Sequence, residues 1–419
     1  ENGKGFATFV ADAPTQTRTS IDYATGDFYW EEGDKIYVKD DDGTMQVSNA
    51  VDAAHAHSAS FKFKVPGKFE NSATYKVYYL GKNGGGNQVT IPTAQTQTKP
   101  NTTDHLGDSG DYGTATATGT IGGSIFSFQL EHQPAYLVFQ PYTSNAVLKN
   151  CYLTKIEVNS DDDIAETYTI DPGTGNLNSS AGSKQIVLTT KDPAAGSTNE
   201  KGFSFTNATS ISTADKVYML IKPGAHTLKV RYWVKDYDTN VEGTITKILP
   251  SFNYDKNTYY DMTANLNVKD YDGDHYYMWD AQEQYWKGHE WNHGGSQPTL
   301  SQGLTGATTS NDYPKSNADP RWYNTSYPGY RISNPATHTS CKDLPNVNEM
   351  TWYAANGDPR WDNDELWTTM GHLYKGGMWF KKKSQISGFK ANKAYDGSDW
   401  RTANKNKKIF FIFSPQPIA

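Results

Sequence analysis

The feature that most constrains this chain is a two-residue alternation broken by turns. Phe61, Phe63 and Val65 alternate with Lys62 and Lys64. That period places one face of an extended segment in a core and the other in water. Short segments rich in Tyr, Val, Ile, Phe and Thr recur at 28–30, 35–38, 60–65, 74–80, 124–130, 135–140, 153–158, 216–221 and 226–234. Between them stand Asp42-Gly43, Pro66-Gly67, Gly84-Gly85-Gly86, Pro172-Gly173 and Pro223-Gly224. Glycine supplies positive φ in such turns, and proline presets the first turn position. No long amphipathic helix is expected before residue 275, so the pattern predicts two antiparallel sandwiches.

At roughly 150 residues per domain, 419 residues imply two to three domains. The polar, acidic stretch Asn159-Ser160-Asp161-Asp162-Asp163 marks one boundary. A second falls just before a change in tryptophan use. Trp30 and Trp233 stand alone in the first 278 residues, whereas the other nine of the 11 Trp lie between 279 and 400. The expected domains are therefore 1–160, 161–275 and 276–419. The third section reads as α+β. Asn346 and Glu349 form a capping-box-like start, with Val347, Met350, Tyr353 and Ala354 on one face and Gly357 beyond the end. The apolar run at 409–413 reads as a strand buried on both faces.

Composition excludes some functions. With 28 Tyr, 17 Phe and 11 Trp, the chain is too aromatic to be disordered throughout. A net charge of -7 argues against a nucleic-acid binder, which needs a basic face. The run at 409–413 is far short of the ~20 apolar residues that span a bilayer. The chain opens at Glu1 without a charged, then apolar, leader, as expected of an exported protein after processing or of a soluble piece. Cys151 and Cys341 are expected to be two buried thiols rather than a disulfide.

No catalytic constellation is legible. There is no nucleophile elbow, no phosphate-binding glycine loop before a helix, and no pair of His at helical spacing around a Glu. Paired carboxylates from distant strands leave no sequence trace. Asp270, Asp272 and Asp274 around Gly273 resemble the start of a calcium loop, but Ala281 stands where its bidentate Glu belongs. A solvated linker is the plainer reading. No metal, cofactor or enzymatic activity is expected.

Several motifs carry a resemblance. Thr17-Arg18-Thr19 followed by Trp30-Glu31-Glu32-Gly33-Asp34-Lys35-Ile36-Tyr37-Val38 resembles the opening of Bacteroidales fimbrillin-like proteins. Ile91-Pro92-Thr93-Ala94-Gln95-Thr96-Gln97 with Asp104-His105-Leu106-Gly107 resembles a following loop of that family. Ile156-Glu157-Val158, Ile164-Ala165 and the 168–177 stretch resemble the start of its second domain, and 259–266 its last strand. The matches span roughly residues 1 to 270. The resemblance implies two transthyretin-like antiparallel β-sandwich domains in a mainly β protein. It implies export as a lipoprotein to the cell surface or outer membrane, and other fimbrial subunits as partners. It also implies cleavage after a basic residue, here Arg18. Cleavage would release a segment that includes 6–10 and open a groove for a neighbour's strand.

In the third section, Leu344-Pro345 to Met350-Thr351-Trp352-Tyr353-Ala354-Ala355-Asn356-Gly357 resembles the helix of C-type-lectin-like and formylglycine-generating folds, modules similar to those ending some fimbrial tip proteins. The copper-binding cysteines of the formylglycine enzymes are missing. Trp361-Asp362-Asn363-Asp364 faintly resembles the lectin sugar motif. Asp-Pro-Arg-Trp occurs twice, at 319–322 and 358–361. Trp322, Tyr323, Trp361, Asp362 and Asp364 are therefore the expected ligand residues, with a glycan or protein receptor on host or bacterial cells. Because 409–413 is expected to complete the chain's own third domain rather than to be donated, a tip adhesin is favoured over a stalk subunit. The alternative is a carbohydrate-binding surface lipoprotein outside any pilus.

Overall fold

The structure is a computed structural model. It describes residues 5–11, 20–22, 27–171, 174–180, 182–281, 364–376, 378–390 and 413–418, with positions 352, 356, 357, 360, 361, 393 and 397. The protein is mainly β. It divides into two compact units, 1–235 with 249–267, and 236–248 with 268–419. Position 160 closes the strand Tyr152–Ser160 inside the first unit, and position 275 falls inside the second.

The first unit opens with an eight-stranded sheet. Its order is Met45–Val47, Tyr37–Lys39, Thr74–Tyr79, Gly113–Gly119, Ile125–Phe128, Phe6–Ala11 and Phe61–Pro66, with Glu131–His132 paired to Gly113–Gly119. The alternation read at 61–65 is realised: Phe61, Phe63 and Val65 are buried, and Lys62 and Lys64 are exposed. The inward faces share one core of aromatic and aliphatic side chains. The two ends of this sheet are stitched together. The Asn49 N–H donates to the Lys64 carbonyl at 3.1 Å, and its side-chain oxygen accepts the Lys64 N–H at 2.7 Å. The open edge of Phe61–Pro66 thus has a partner, which removes a pairing hazard.

The rest of the first unit is built around Ala135–Tyr142. This strand runs antiparallel to Val217–Ile221 and parallel to Thr258–Asn265. Another sheet orders Gly224–Asp236, Tyr152–Ser160, Gln185–Thr189 and Ala94–Thr96, and a third orders Leu177–Ser179, Glu166–Ile170 and Gln88–Ile91. Gln88–Ile91 and Ala94–Thr96 come early in sequence but pair with strands beyond 160. Cys151 is a buried thiol bonded to the Val147 carbonyl at 3.5 Å; Cys341 lies outside the described residues.

In the second unit, Leu366–Thr369 and His372–Lys375 form a hairpin that extends through Lys269–Asp270. Tyr276–Ala281 pairs with Met378–Lys381 on one side and with Phe413–Ile418 on the other. Residues 409–412 and most of the expected helix lie outside the described residues. Trp352 and Asn356 are helical. Trp352 is buried and donates its indole N–H to the Lys393 carbonyl at 2.9 Å. Among the described residues, no helix is long and apolar enough to cross a membrane.

Candidate functional site: the seat of one strand

The best-defined recognition geometry in the first unit is the seat of Phe6–Ala11. Six residues pair antiparallel with Phe61–Pro66, from Phe6↔Pro66 to Ala11↔Phe61. On the other edge, Thr8 to Ala11 run parallel to Ile125–Phe128, with Phe9 beside Phe126. The strand therefore lies inside the sheet, and the chain re-enters the described structure only at Ser20. Ala7, Phe9 and Ala11 point inward at 3%, 0% and 3% exposure. Phe9 fills an aromatic pocket: it stacks on Phe126 at 5.2 Å and meets Phe69 edge-on at 5.2 Å and Tyr75 at 6.4 Å. Such pairs add to the gain from apolar burial. Without the strand, this pocket and two backbone edges would lose their partner together.

Polar contacts hold the pocket wall in place. The Tyr75 hydroxyl donates to Asp41 Oδ1 at 2.7 Å, while Asp41 Oδ2 accepts the N–H groups of Glu70 at 2.6 Å and Asn71 at 3.0 Å. Burial pushes the Asp41 carboxyl up, but these donors and the Lys68 charge outweigh it and hold it below the usual carboxylate range. Burial, together with the hydrogen bond to Asp41, pushes the Tyr75 hydroxyl up to about 12.

The Trp30-to-Val38 motif has an architectural role here. Trp30 is 1% exposed and packs edge-on against Phe63 and Tyr79. Asp34 accepts the Glu31 N–H at 2.7 Å and the Tyr79 hydroxyl at 2.8 Å. Gly33, at φ +92°, makes the turn between them in a region L side chains rarely adopt.

The expected ligand residues are only partly described. Trp322, Tyr323, Asp362 and the processing candidate Arg18 lie outside the described residues. Trp361 lies in the strand Arg360–Trp361, opposite Met378. The Asp364 carbonyl accepts the Thr244 N–H at 2.7 Å. Trp367 and Trp379 are buried and sit edge-on at 5.1 Å, with Tyr271 stacked on Trp379 at 4.7 Å. In the acidic turn, Asp272 Oδ1 accepts the N–H groups of Asp274 and His275 at 3.0 and 2.8 Å. Asp270 meets the Thr368 hydroxyl at 3.2 Å. Those contacts are turn and strand chemistry, and no cluster suited to a metal ion occurs among the described residues.

Asp111 and His132 have the composition of an acid–base pair, 2.8 Å apart. Both are fully buried, and Asp111 also accepts the Tyr136 hydroxyl. With Tyr136 they form a buried polar cluster that ties the interior together. Sequence reading missed the pocket of Phe9. Its members, Phe69, Tyr75 and Phe126, are scattered along the chain, and only the aromatic content of the segments hinted at it.

No family model matches the chain, and no curated relative matches it. Among solved structures it is similar to a proposed cell adhesion protein of Bacteroides ovatus, at 16% identity and a TM-score of 0.35, covering 56% of this chain and 84% of that one. A proposed cell adhesion protein of Bacteroides uniformis is similar at 14% identity and a TM-score of 0.35, covering 63% and 95%. The fimbrial anchor protein Mfa2 of Porphyromonas gingivalis is similar at 13% identity and a TM-score of 0.27, covering 58% and 81%. These are distant likenesses.

Proposed function

We propose that the protein is a cell-surface fimbrial subunit, at the tip of the fibre, that assembles by strand addition and mediates adhesion without catalysis. The observation that carries this reading is the seat of Phe6–Ala11, which is paired on both edges and holds Phe9 in a closed aromatic pocket. The sequence joining that strand to the rest contains Arg18. Cleavage there leaves the strand held by hydrogen bonds and packing alone. A neighbour's strand with an aromatic residue between two small ones would satisfy the same backbone edges and pocket. Phe413–Ile418 pairs with Tyr276–Ala281 of its own unit, which supports a subunit that receives a strand rather than donating one. Adhesion is assigned to the Trp-rich section, with Trp322, Tyr323, Trp361, Asp362 and Asp364 as receptor contacts. Export as a lipoprotein would bring the subunit to the cell surface before that cleavage.

The test is limited digestion with an arginine-specific protease, read by mass spectrometry. The expected result is early cleavage after Arg18, loss of the strand on incubation with a donor subunit, and resistance of Arg18→Ala. Cleavage that leaves the strand seated when donor subunits are added would overturn the reading.

A further inference from the structure

A polar cleft of about 460 Å³ lies on the outer face of the eight-stranded sheet. That size is within the range of small-ligand sites, roughly 300–1,000 Å³. Its floor is two cross-strand pairs, Lys76 with Thr116 and Tyr78 with Thr114. One wall carries Gln129, Glu131 and Gln133; the other is the turn Gly175-Asn176-Leu177. The second wall is fixed in place: the Tyr78 hydroxyl donates to the Gly175 carbonyl at 2.6 Å. Gly175 has φ +71°, and a Cβ there would stand 2.7 Å from the Tyr78 oxygen. Only glycine lets the turn approach this closely.

The polar groups of this cleft are not all committed. Gln133 donates to Thr114 Oγ1 at 3.2 Å and to the Glu131 carbonyl at 3.0 Å. Glu131 meets Lys256 at 3.1 Å, so its charge is balanced. The exposed side chains of Lys76, Thr116, Gln129 and Asn176 make no hydrogen bond among the described residues. Hydroxyls and amides both donate and accept, as a run of sugar hydroxyls requires. Lys76 adds one unbalanced positive charge. Both floor strands are already paired on each edge, so an extended polypeptide would find no backbone ladder to join.

We infer that this cleft binds an acidic oligosaccharide, with the anionic group at Lys76 Nζ and the hydroxyls at Thr116, Gln129 and Asn176. The inference does not depend on assembly into a fibre, because the cleft is complete within the first unit.

Titration calorimetry on the full chain would use trigalacturonic acid, a sulfated disaccharide and neutral maltotriose as probes. The expected result is that at least one acidic probe binds about tenfold or more tighter than maltotriose, as one charge-assisted hydrogen bond would give. Whichever acidic probe binds identifies carboxylate or sulfate as the anion. Lys76→Met should abolish that preference, and Gln129→Glu, which adds a like charge of similar size, should weaken the acidic probe alone. Thermal melts matching the parent chain establish that both variants are folded. Binding of none of the three probes, equal binding of acidic and neutral probes, or a preference unchanged in Lys76→Met would overturn the inference.

Discussion

The side chain of Gln95 forms a two-bond ladder with the backbone of Leu220: its Oε1 accepts the Leu220 N–H at 3.0 Å, and its Nε2 donates to the Leu220 carbonyl at 2.8 Å. Gln97 continues the pattern, accepting the Tyr218 N–H at 2.8 Å and donating to the Lys216 carbonyl at 3.0 Å. His105 takes the Tyr218 carbonyl at 2.7 Å. Side chains of the strand Ala94–Thr96 and of the segment that follows it thus imitate a missing strand along the open edge of Val217–Ile221.

Gln95→Ala should therefore cost more than an ordinary polar substitution. Gln95 is 2% exposed and Leu220 fully buried, so both Leu220 backbone groups would be left without partners. The expected loss is about 2–4 kcal/mol, read from denaturant unfolding. A loss under about 0.5 kcal/mol, typical of surface positions, would show that the ladder contributes little.

His105 should make the fold acid-sensitive. A carbonyl only accepts, so Nε2 carries the proton, and Nδ1 is buried with no hydrogen-bond partner. Burial pushes the imidazole below its ordinary 6.5, against the smaller opposing effect of its bond to Tyr218. The folded state then binds fewer protons than the unfolded one below pH 6.5, so stability falls as pH drops through that value. His105→Gln retains a donor but does not titrate. Its stability relative to the parent should rise as pH is lowered from 7 to 5, and a difference independent of pH would contradict this.

Tyr75 should act at the other end of the scale. Its hydroxyl is raised from 10.0 to about 12 in the fold. The associated stability is complete below pH 10 and is lost as pH rises through the folded value. Tyr75→Phe should therefore be less stable than the parent at pH 8, and the gap should narrow between pH 10 and 12. Thermal melts across that range provide the check.

Glu365 organises part of the second unit. It accepts the Thr244 hydroxyl at 2.9 Å and both the N–H and hydroxyl of Thr246 at 2.9 and 2.8 Å. Glu365→Ala should destabilise this unit by roughly 2–4 kcal/mol, by stranding buried donors. Amide hydrogen exchange at Thr246 should accelerate; unchanged protection would refute the assignment.

The strands were legible where packing is local. Phe61, Phe63 and Val65 show their buried face by alternation alone, and the Asp42-Gly43 turn is marked by its glycine at φ +80°. Strand partners were less legible. Nothing near Gln88 or Ala94 shows that these segments pair with strands at 166 and 187, because register across so many residues is set by the whole core. Nothing in the sequence marks Gln95 and Gln97 as buried, since a buried amide and an exposed one look the same there. The pocket of Phe9 was hidden for the same reason: its walls come from residues 69, 75 and 126. The expected sugar residues Trp322 and Tyr323 fall outside the described residues.

The parallel pairing of Phe6–Ala11 with Ile125–Phe128 sets an order of events during synthesis. A ribosome adding roughly 5–20 residues per second makes the Phe9 strand on the order of ten seconds before its neighbour at Phe126. Phe61–Pro66 arrives earlier and can serve as a template for one edge, but contacts this distant in sequence form slowly. At this strand the order of manufacture and the order of completion run in opposite directions: what is made early is finished late.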